Sequence, residues 1–329
     1  MNGILIVNKP AGWTSFDVVA KVRRLTKARR VGHAGTLDPM AIGVLVICLG
    51  HAVRMVEYLI GHDKAYRATL LLGVETDTYD AGGQVIATRL VEVSETALRE
   101  ALLSFVGNIE QIPPMYSAIK HEGKKLYQLA RQGVEVERAP RRVTLHSLNL
   151  IAFDPPRLTV DVRCSSGTYI RSLAHDLGAQ LGCGAHLAAL TRTAVGDFGL
   201  SQAATIEELE VAAAHGSWAH LLRPIDAAVQ DLPAYALSEA ETRRARHGMP
   251  VSLAGGSRAP SERGAQGSRR LFAPGGPASL ADDLVRVYDP SGQMIGLMKY
   301  DRALNELRPE KIFGSSESAV KAGTRANAD

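Results

Sequence analysis

The residue best placed to do chemistry in this chain is Asp38, at the end of Gly32-His33-Ala34-Gly35-Thr36-Leu37-Asp38-Pro39. Proline pushes the residue before it out of the helical region, and glycines at 32 and 35 permit a tight turn or a close backbone approach. Asp38 is therefore presented at a loop end, just before the apolar run Ile42-Gly43-Val44-Leu45-Val46-Ile47-Cys48-Leu49. A reactive carboxylate is displayed in this way. The octapeptide alone reads more simply as a Leu-Asp-Pro turn whose carboxylate caps the next segment, so other residues must decide.

Arg171 is the second such residue. Cys164-Ser165-Ser166-Gly167 ends a strand pattern, Thr168 is positioned to cap a helix, and Ile170, Leu173, Ala174 and Leu177 form its inner face up to a stop at Gly178. Arg171 then falls in the first helical turn, against the dipole preference, and a cation there implies a specific anionic partner. The other classes of chemistry find little support. Cys48, Cys164 and Cys183 are three in number and lack CxxC spacing, which argues against a disulfide framework or a zinc site. The histidines are scattered, and no glycine loop ends in Gly-Lys-Ser/Thr.

The elements that must position these residues follow from periodicity. Ile4 to Val7 reads as a strand, and Ser15 as the cap of a helix with Val18, Val19, Val22 and Leu25 on one side and Lys21, Arg24 and Lys27 on another. Residues 42 to 49 read as a strand buried on both faces, and the alternations at 66 to 72 and 158 to 164 as two more. Glu95 to Phe105 is helical, whereas residues 112 to 142 are polar, basic and weakly periodic, an inserted mobile lobe. The composition shifts after Arg223-Pro224, and beyond about residue 231 short strands and turns suggest a small all-β module. Its clearest part is a hairpin from Leu284 to Tyr288 and Met294 to Met298 across Asp289-Pro290-Ser291-Gly292. Residues 254 to 280 read as a flexible excursion and 314 to 329 as a disordered tail.

Composition bounds the partners. The chain has 329 residues, 46% hydrophobic and 22% charged, with a formal net charge of +4, an ordinary globular balance. No stretch approaches the ~18 apolar residues of a membrane span, and the N-terminus reads as a first strand rather than a signal peptide, so a cytoplasmic location is expected. The positive charge is concentrated. Lys21, Arg23, Arg24, Lys27, Arg29 and Arg30 fall within ten residues, and Lys120, Lys124, Lys125, Arg131, Arg138, Arg141 and Arg142 form a second region with Tyr116 and Tyr127 interleaved. Such runs are solvated faces or grips for a polyanion.

Three ordered segments carry a resemblance: Gly32 to Pro39; Lys64-Ala65-Tyr66-Arg67-Ala68 with Gly73-Val74-Glu75-Thr76-Asp77-Thr78-Tyr79-Asp80; and Cys164 to Leu173. With Val7-Asn8-Lys9-Pro10-Ala11-Gly12-Trp13-Thr14-Ser15 and Leu181-Gly182-Cys183-Gly184-Ala185-His186-Leu187, they resemble bacterial tRNA pseudouridine-55 synthases over about residues 3 to 200. The C-terminal part resembles the RNA-binding PUA module of such enzymes. The resemblance implies an α+β fold: a mixed, mostly antiparallel sheet with flanking helices over residues 1–230, and a small β-barrel-like PUA domain over 231–313.

By motif position Asp38 is then the catalytic carboxylate for breaking and rejoining a glycosidic bond, and Arg171 its ion-pair partner. Tyr66 is the tyrosine that stacks on the target base and helps remove its C5 proton. Tyr169 and Leu190 form pocket walls, and His33 fills the stacking space of a flipped base. Lys9 contacts phosphate or caps the first turn. The expected partner is the tRNA T-arm, acted on by a monomer with no guide RNA, no cofactor and no metal. An RNA-binding or RNA-folding module is the alternative function.

Overall fold

A computed structural model describes residues 1–117, 119–121, 123–130, 132–253 and 284–313. The chain divides into two compact units, Met1–Arg223 and Pro224–Asp329, so the boundary falls at the composition shift itself, a few residues before 230. In chain order the first unit contains β1 (Gly3–Lys9), α1 (Ser15–Thr26), β2 (Val31–His33), β3 (Ile42–Leu49), α2 (Val56–Gly61), β4 (Lys64–Leu72), β5 (Val74–Thr76), β6 (Val85–Thr88), α3 (Glu95–Ser104) and β7 (Gly107–Gln111). It continues with β8 (Lys120–His121), β9 (Lys124–Lys125), α4 (Leu126–Ala130), β10 (Arg141–Asp154), β11 (Arg157–Cys164), α5 (Ile170–Gln180), β12 (Ala185–Val195), β13 (Phe198–Gly199) and α6 (Ile206–Ala214).

Nine of these strands form one sheet in the order β1-β3-β12-β4-β11-β10-β7, with β2 beside β3 and β13 beside β12. Every pairing is antiparallel except β3 with β12, where Ile42 lies beside Thr191 and Gly43 beside Arg192. This parallel pair is the seam on which the site is built. Gly43 has φ +101°, and a Cβ there would lie 2.3 Å from the Arg192 carbonyl oxygen, so only glycine permits the approach. β3 is buried on both faces from Gly43 to Leu49, as its unbroken apolar run implies.

Two apolar cores lie against the sheet. Helices α3 and α5 cover β4, β10, β11 and β12 through Leu98, Leu102, Leu173 and Leu177, and α1 and α6 cover β1 and β3 through Val18, Val22, Ile206 and Leu209. Free Cys48 and Cys164 are buried within the sheet, and burial pushes their thiols up to about 12 and about 11, far from nucleophilic character.

Several local expectations change. Thr14, not Ser15, caps α1: its hydroxyl accepts from the Asp17 N–H while the Asp17 carboxylate accepts from the Thr14 N–H, a capping box. Thr168 does not cap α5; its hydroxyl donates to the Ser165 carbonyl, and the capping position is Tyr169. Nor does Gly178 stop that helix, which runs to Gln180. A Cβ at 178 would lie 2.2 Å from the Ala185 nitrogen, so the glycine serves packing against the start of β12. The 112–142 segment is no uniform lobe: it holds a β8–β9 hairpin and α4, and Arg141 and Arg142 already belong to β10.

The second unit contains β14 (Ala234–Ala236), α7 (Glu239–Arg246), β15 (Val251–Ser252), β16 (Leu284–Tyr288), β17 (Met294–Asp301) and β18 (Glu306–Ile312). Its five strands pair in the order β14-β16-β17-β18-β15. The hairpin is β16–β17, but α7 makes the module more than all-β. The excursion at 254–280 and the tail at 314–329 lie outside the described residues. Among the described residues no helix is long and apolar enough to cross a membrane.

Candidate active site

The loop from Ala34 to Ala41 leaves β2 and enters β3, and its backbone has few ladder partners. A buried backbone carbonyl without a donor is costly, and here side chains supply the donors. The Ser15 hydroxyl donates to the Leu37 carbonyl at 3.1 Å and accepts from the Leu37 N–H at 2.8 Å. Lys9 is fully buried, and its ammonium donates to the carbonyls of Pro10 (2.9 Å), Trp13 (2.6 Å) and Pro39 (3.2 Å). The Pro39 carbonyl also accepts from the Gly12 N–H. Arg192 donates to the carbonyls of Gly35 (3.0 Å), Thr36 (3.4 Å) and Val44 (2.7 Å). Asp38 is thus held on both sides by its neighbours' carbonyls.

This corrects the reading of Lys9 as a phosphate contact. An ammonium has three donors, all engaged on carbonyls out of solvent, which leaves the turn-capping role. Burial lowers its pKa to about 8, with Asp38 opposing the shift.

The cation on α5 has the anionic partner that its position demanded, and a second one. Arg171 Nε lies 3.0 Å from Asp38 Oδ2 and Nη1 3.4 Å from Asp80 Oδ2, while Nη2 donates to the Tyr116 carbonyl at 2.7 Å. Asp80 is anchored in turn by the Thr78 hydroxyl (2.8 Å) and the Gly82 N–H (3.0 Å). The side chains of Arg171 and Asp80 are 6% and 13% exposed and that of Asp38 is 36% exposed, so of the three only Asp38 reaches outward. Burial raises the Asp38 pKa above the ordinary carboxylate value, Arg171 opposes the shift and Asp80 adds to it.

The remaining expected residues converge on the same loop. Tyr66 on β4 and Leu190 on β12 pack with Leu37 and Ala41 in one core. Burial raises the Tyr66 pKa, and the positive charge of Arg192, directly opposite on β12, works against that. Tyr169 is half-buried at the start of α5. Its N–H donates to Gln111 Oε1 (2.7 Å) and its carbonyl accepts from Gln111 Nε2 (3.0 Å), and burial raises its hydroxyl pKa within the field of Arg171 and Asp38. His33 is the last residue of β2, half-buried, with burial and Arg192 lowering its pKa.

Asp80 and Arg192 are the residues to which sequence reading assigned no role. Asp80 stood in a quoted motif without a function. Arg192 follows Leu190 by two, so it shares the inward parity of a strand, and an inward cation was the available signal. Among the described residues no group of three or more His, Cys, Asp or Glu is placed to hold a metal ion.

The chain matches the family model described as TruB family pseudouridylate synthase (N terminal domain) over residues 23–170, and that of the tRNA pseudouridylate synthase B C-terminal domain over 171–230. It is 45% identical over 318 residues to tRNA pseudouridine synthase B of Thiobacillus denitrificans, covering 97% of this chain and 98% of that protein. It is 50% identical over 256 residues to the protein of the same name from Dechloromonas aromatica, covering 78% and 85%. Among solved structures, the archaeal box H/ACA sRNP Nop10-Cbf5 complex contains a chain of the same fold, with a TM-score of 0.68 at 23% identity over 94% of this chain and 85% of that one. A carboxylate presented on a strutted loop against a buried arginine thus sits within a sequence match spanning nearly the whole chain, and the protein belongs to the TruB family of pseudouridylate synthases.

Proposed function

We propose that the chain isomerises uridine-55 in the T-loop of tRNA to pseudouridine, with Asp38 as the catalytic carboxylate. The observation that carries this reading is the outward-facing Asp38 held 3.0 Å from a buried Arg171. Breaking the N1–C1′ bond builds positive charge on the sugar, and an ionised carboxylate opposite C1′ stabilises it by electrostatics or by adding to it. The freed uracil rotates, C5 joins C1′, the C5 proton leaves and N1 takes one up, so the step is an isomerisation that needs no oxidant and no cofactor.

Tyr66 lies under the base and its hydroxyl serves the C5 proton, while Tyr169 and Leu190 close the pocket. The uridine must leave its stack to reach this site, and His33, at the end of β2 where the Asp38 loop begins, takes up the vacated space. The exposed Arg23, Arg24, Lys27, Arg29 and Arg30 grip the T-arm backbone, which makes affinity fall with salt. The second unit is a further RNA-binding surface, and the enzyme acts as a monomer without a guide RNA.

The test is tritium release from an unmodified tRNA transcript carrying 5-tritiated uridine. Wild-type protein is expected to release one equivalent, from position 55, with no additive. Asp38→Asn is expected to lose at least ~10³-fold in rate while binding tRNA within about threefold of wild type. An active Asp38→Asn, or release from another uridine, overturns the assignment.

A further inference from the structure

The first of the fully buried side chains by size is a charged one. Arg192 is 1% exposed, and it makes no ion pair with the Asp38–Arg171–Asp80 network, adding only a weaker electrostatic pull on Asp38. Among the described residues its side-chain hydrogen bonds go to the carbonyls of Gly35, Thr36 and Val44 and to no carboxylate. A buried cation without a counter-anion is costly to a fold, and a strut between carbonyls needs neither the charge nor a planar group. The guanidinium differs from other donors in one respect: it presents five N–H groups in a rigid plane.

That plane joins two separate pieces of chain. Nη1 and Nη2 hold the loop two and three residues before Asp38 and Nε holds β3 where the loop ends, while the backbone of Arg192 is paired with Tyr66 on β4. Resting on the reading of Asp38 as the reacting carboxylate, we propose that Arg192 is a positioning residue: its guanidinium locks the Asp38 loop to the start of β3 in one rigid frame, so that the carboxylate meets the nucleoside in a single position. It touches neither substrate nor sugar. Its loss therefore misplaces reacting groups without weakening the RNA grip, which is supplied by exposed residues elsewhere. A misplacement of ~1 Å is enough to cost about 10²-fold in rate.

The experiment uses the full chain and tRNA transcript, with Arg192→Met and Arg192→Lys, each checked for cooperative unfolding. Single-turnover tritium release and tRNA affinity are measured separately. Arg192→Met is expected to lose ~100-fold in rate with Kd within about threefold of wild type. Arg192→Lys, which keeps the charge and loses the fork, is expected to lose ~10-fold.

A folded Arg192→Met variant within about threefold of wild-type rate, or a Kd that rises in step with the rate loss, would each overturn the proposal. If Arg192→Met does not fold, Arg192→Lys decides alone: a ~10-fold loss at unchanged affinity supports the frame, and a near-normal rate overturns it. An active Asp38→Asn sinks the underlying reading of the site, whereas an inactive Asp38→Asn beside an active Arg192→Met sinks only the role of Arg192.

Discussion

The buried cations of the first unit are solvated in two opposite ways. Arg171 is met by two carboxylates, Asp38 and Asp80. Lys9, Lys64 and Arg192 are met by carbonyls: Lys64 donates to those of Ile60 and His62, as Lys9 and Arg192 do to those around the loop. The consequence appears in titration. Burial lowers Lys9 and Lys64 each to about 8, since dipoles only partly replace the water that a charge gives up. Carboxylate pairing therefore sets the larger share of the electrostatics of the reacting group, to which Lys9 and Arg192 add less, and carbonyl pairing sets its geometry. Substitutions in the first group should alter the charge state of Asp38, and those in the second the shape and stability of its support.

The sharpest way to break this division is Arg171→Met. It leaves Asp38 and Asp80 facing each other without a cation and removes the donor to the Tyr116 carbonyl. The rate of single-turnover isomerisation is expected to fall ~10³-fold. The residual activity should also change its pH dependence: with the cation gone the Asp38 pKa rises further, so the acid limb of the rate profile moves to higher pH. An unmoved limb would show that Arg171 acts only through geometry, like the other group.

Asp80→Asn is the milder counterpart and carries the opposite sign. Asp80 raises the Asp38 pKa, so an amide in its place should move the acid limb to lower pH. The rate at neutral pH should fall by ~10-fold, because Arg171 loses one of its two carboxylate partners. Paired profiles that shift in opposite directions would establish the charge network; profiles that shift together would count against it.

How far this network was legible in the sequence depended on range. Asp38 announced itself through glycine and proline chemistry within eight residues, and Arg171 through a local conflict with its helix dipole. Their pairing, 133 residues apart, came only through the family resemblance. Asp80 passed without a role because nothing near it in sequence shows that α5 lies against it. The carbonyl-bound cations left a fainter mark: Lys9 shares strand parity with Leu5 and Val7, Lys64 with Tyr66 and Ala68, and Arg192 with Leu190, all inward positions. An inward cation can be read from parity, but not the carbonyls it serves, which for Arg192 are about 150 residues away. At the level of elements, β3, β4, β11 and the β16–β17 hairpin followed their patterns. The fourteen-residue β10 was missed because register shifts at Leu145/Ser147 and Leu150/Ala152 break its alternation. Helix α7 was missed because it buries only Thr242 and Ala245 and shows no apolar stripe.

The smallest effect, and the one that separates geometry from RNA contact, belongs to Lys9→Met. A phosphate contact would cost affinity and lower the salt slope by about one; a buried carbonyl strut should leave both at the wild-type value. What should change is stability and its dependence on pH. With a folded pKa of about 8 against an ordinary value of 10.5, the unfolded state binds more protons between these values, so the contribution of Lys9 to stability rises with pH through that window. Below about 8 its full penalty is present, and above 10.5 it is absent. Lys64, lowered to about 8 as well, contributes in the same sense. Removing Lys9 should therefore leave roughly half of their joint slope in denaturation midpoints measured between pH 8 and 10.5. At pH 7 the loss of three donors costs stability, because the carbonyls of Pro10 and Trp13 are left unsatisfied, while the removal of a buried charge offsets part of that cost. A weakened salt slope with an unchanged stability profile would instead put the Lys9 ammonium on phosphate.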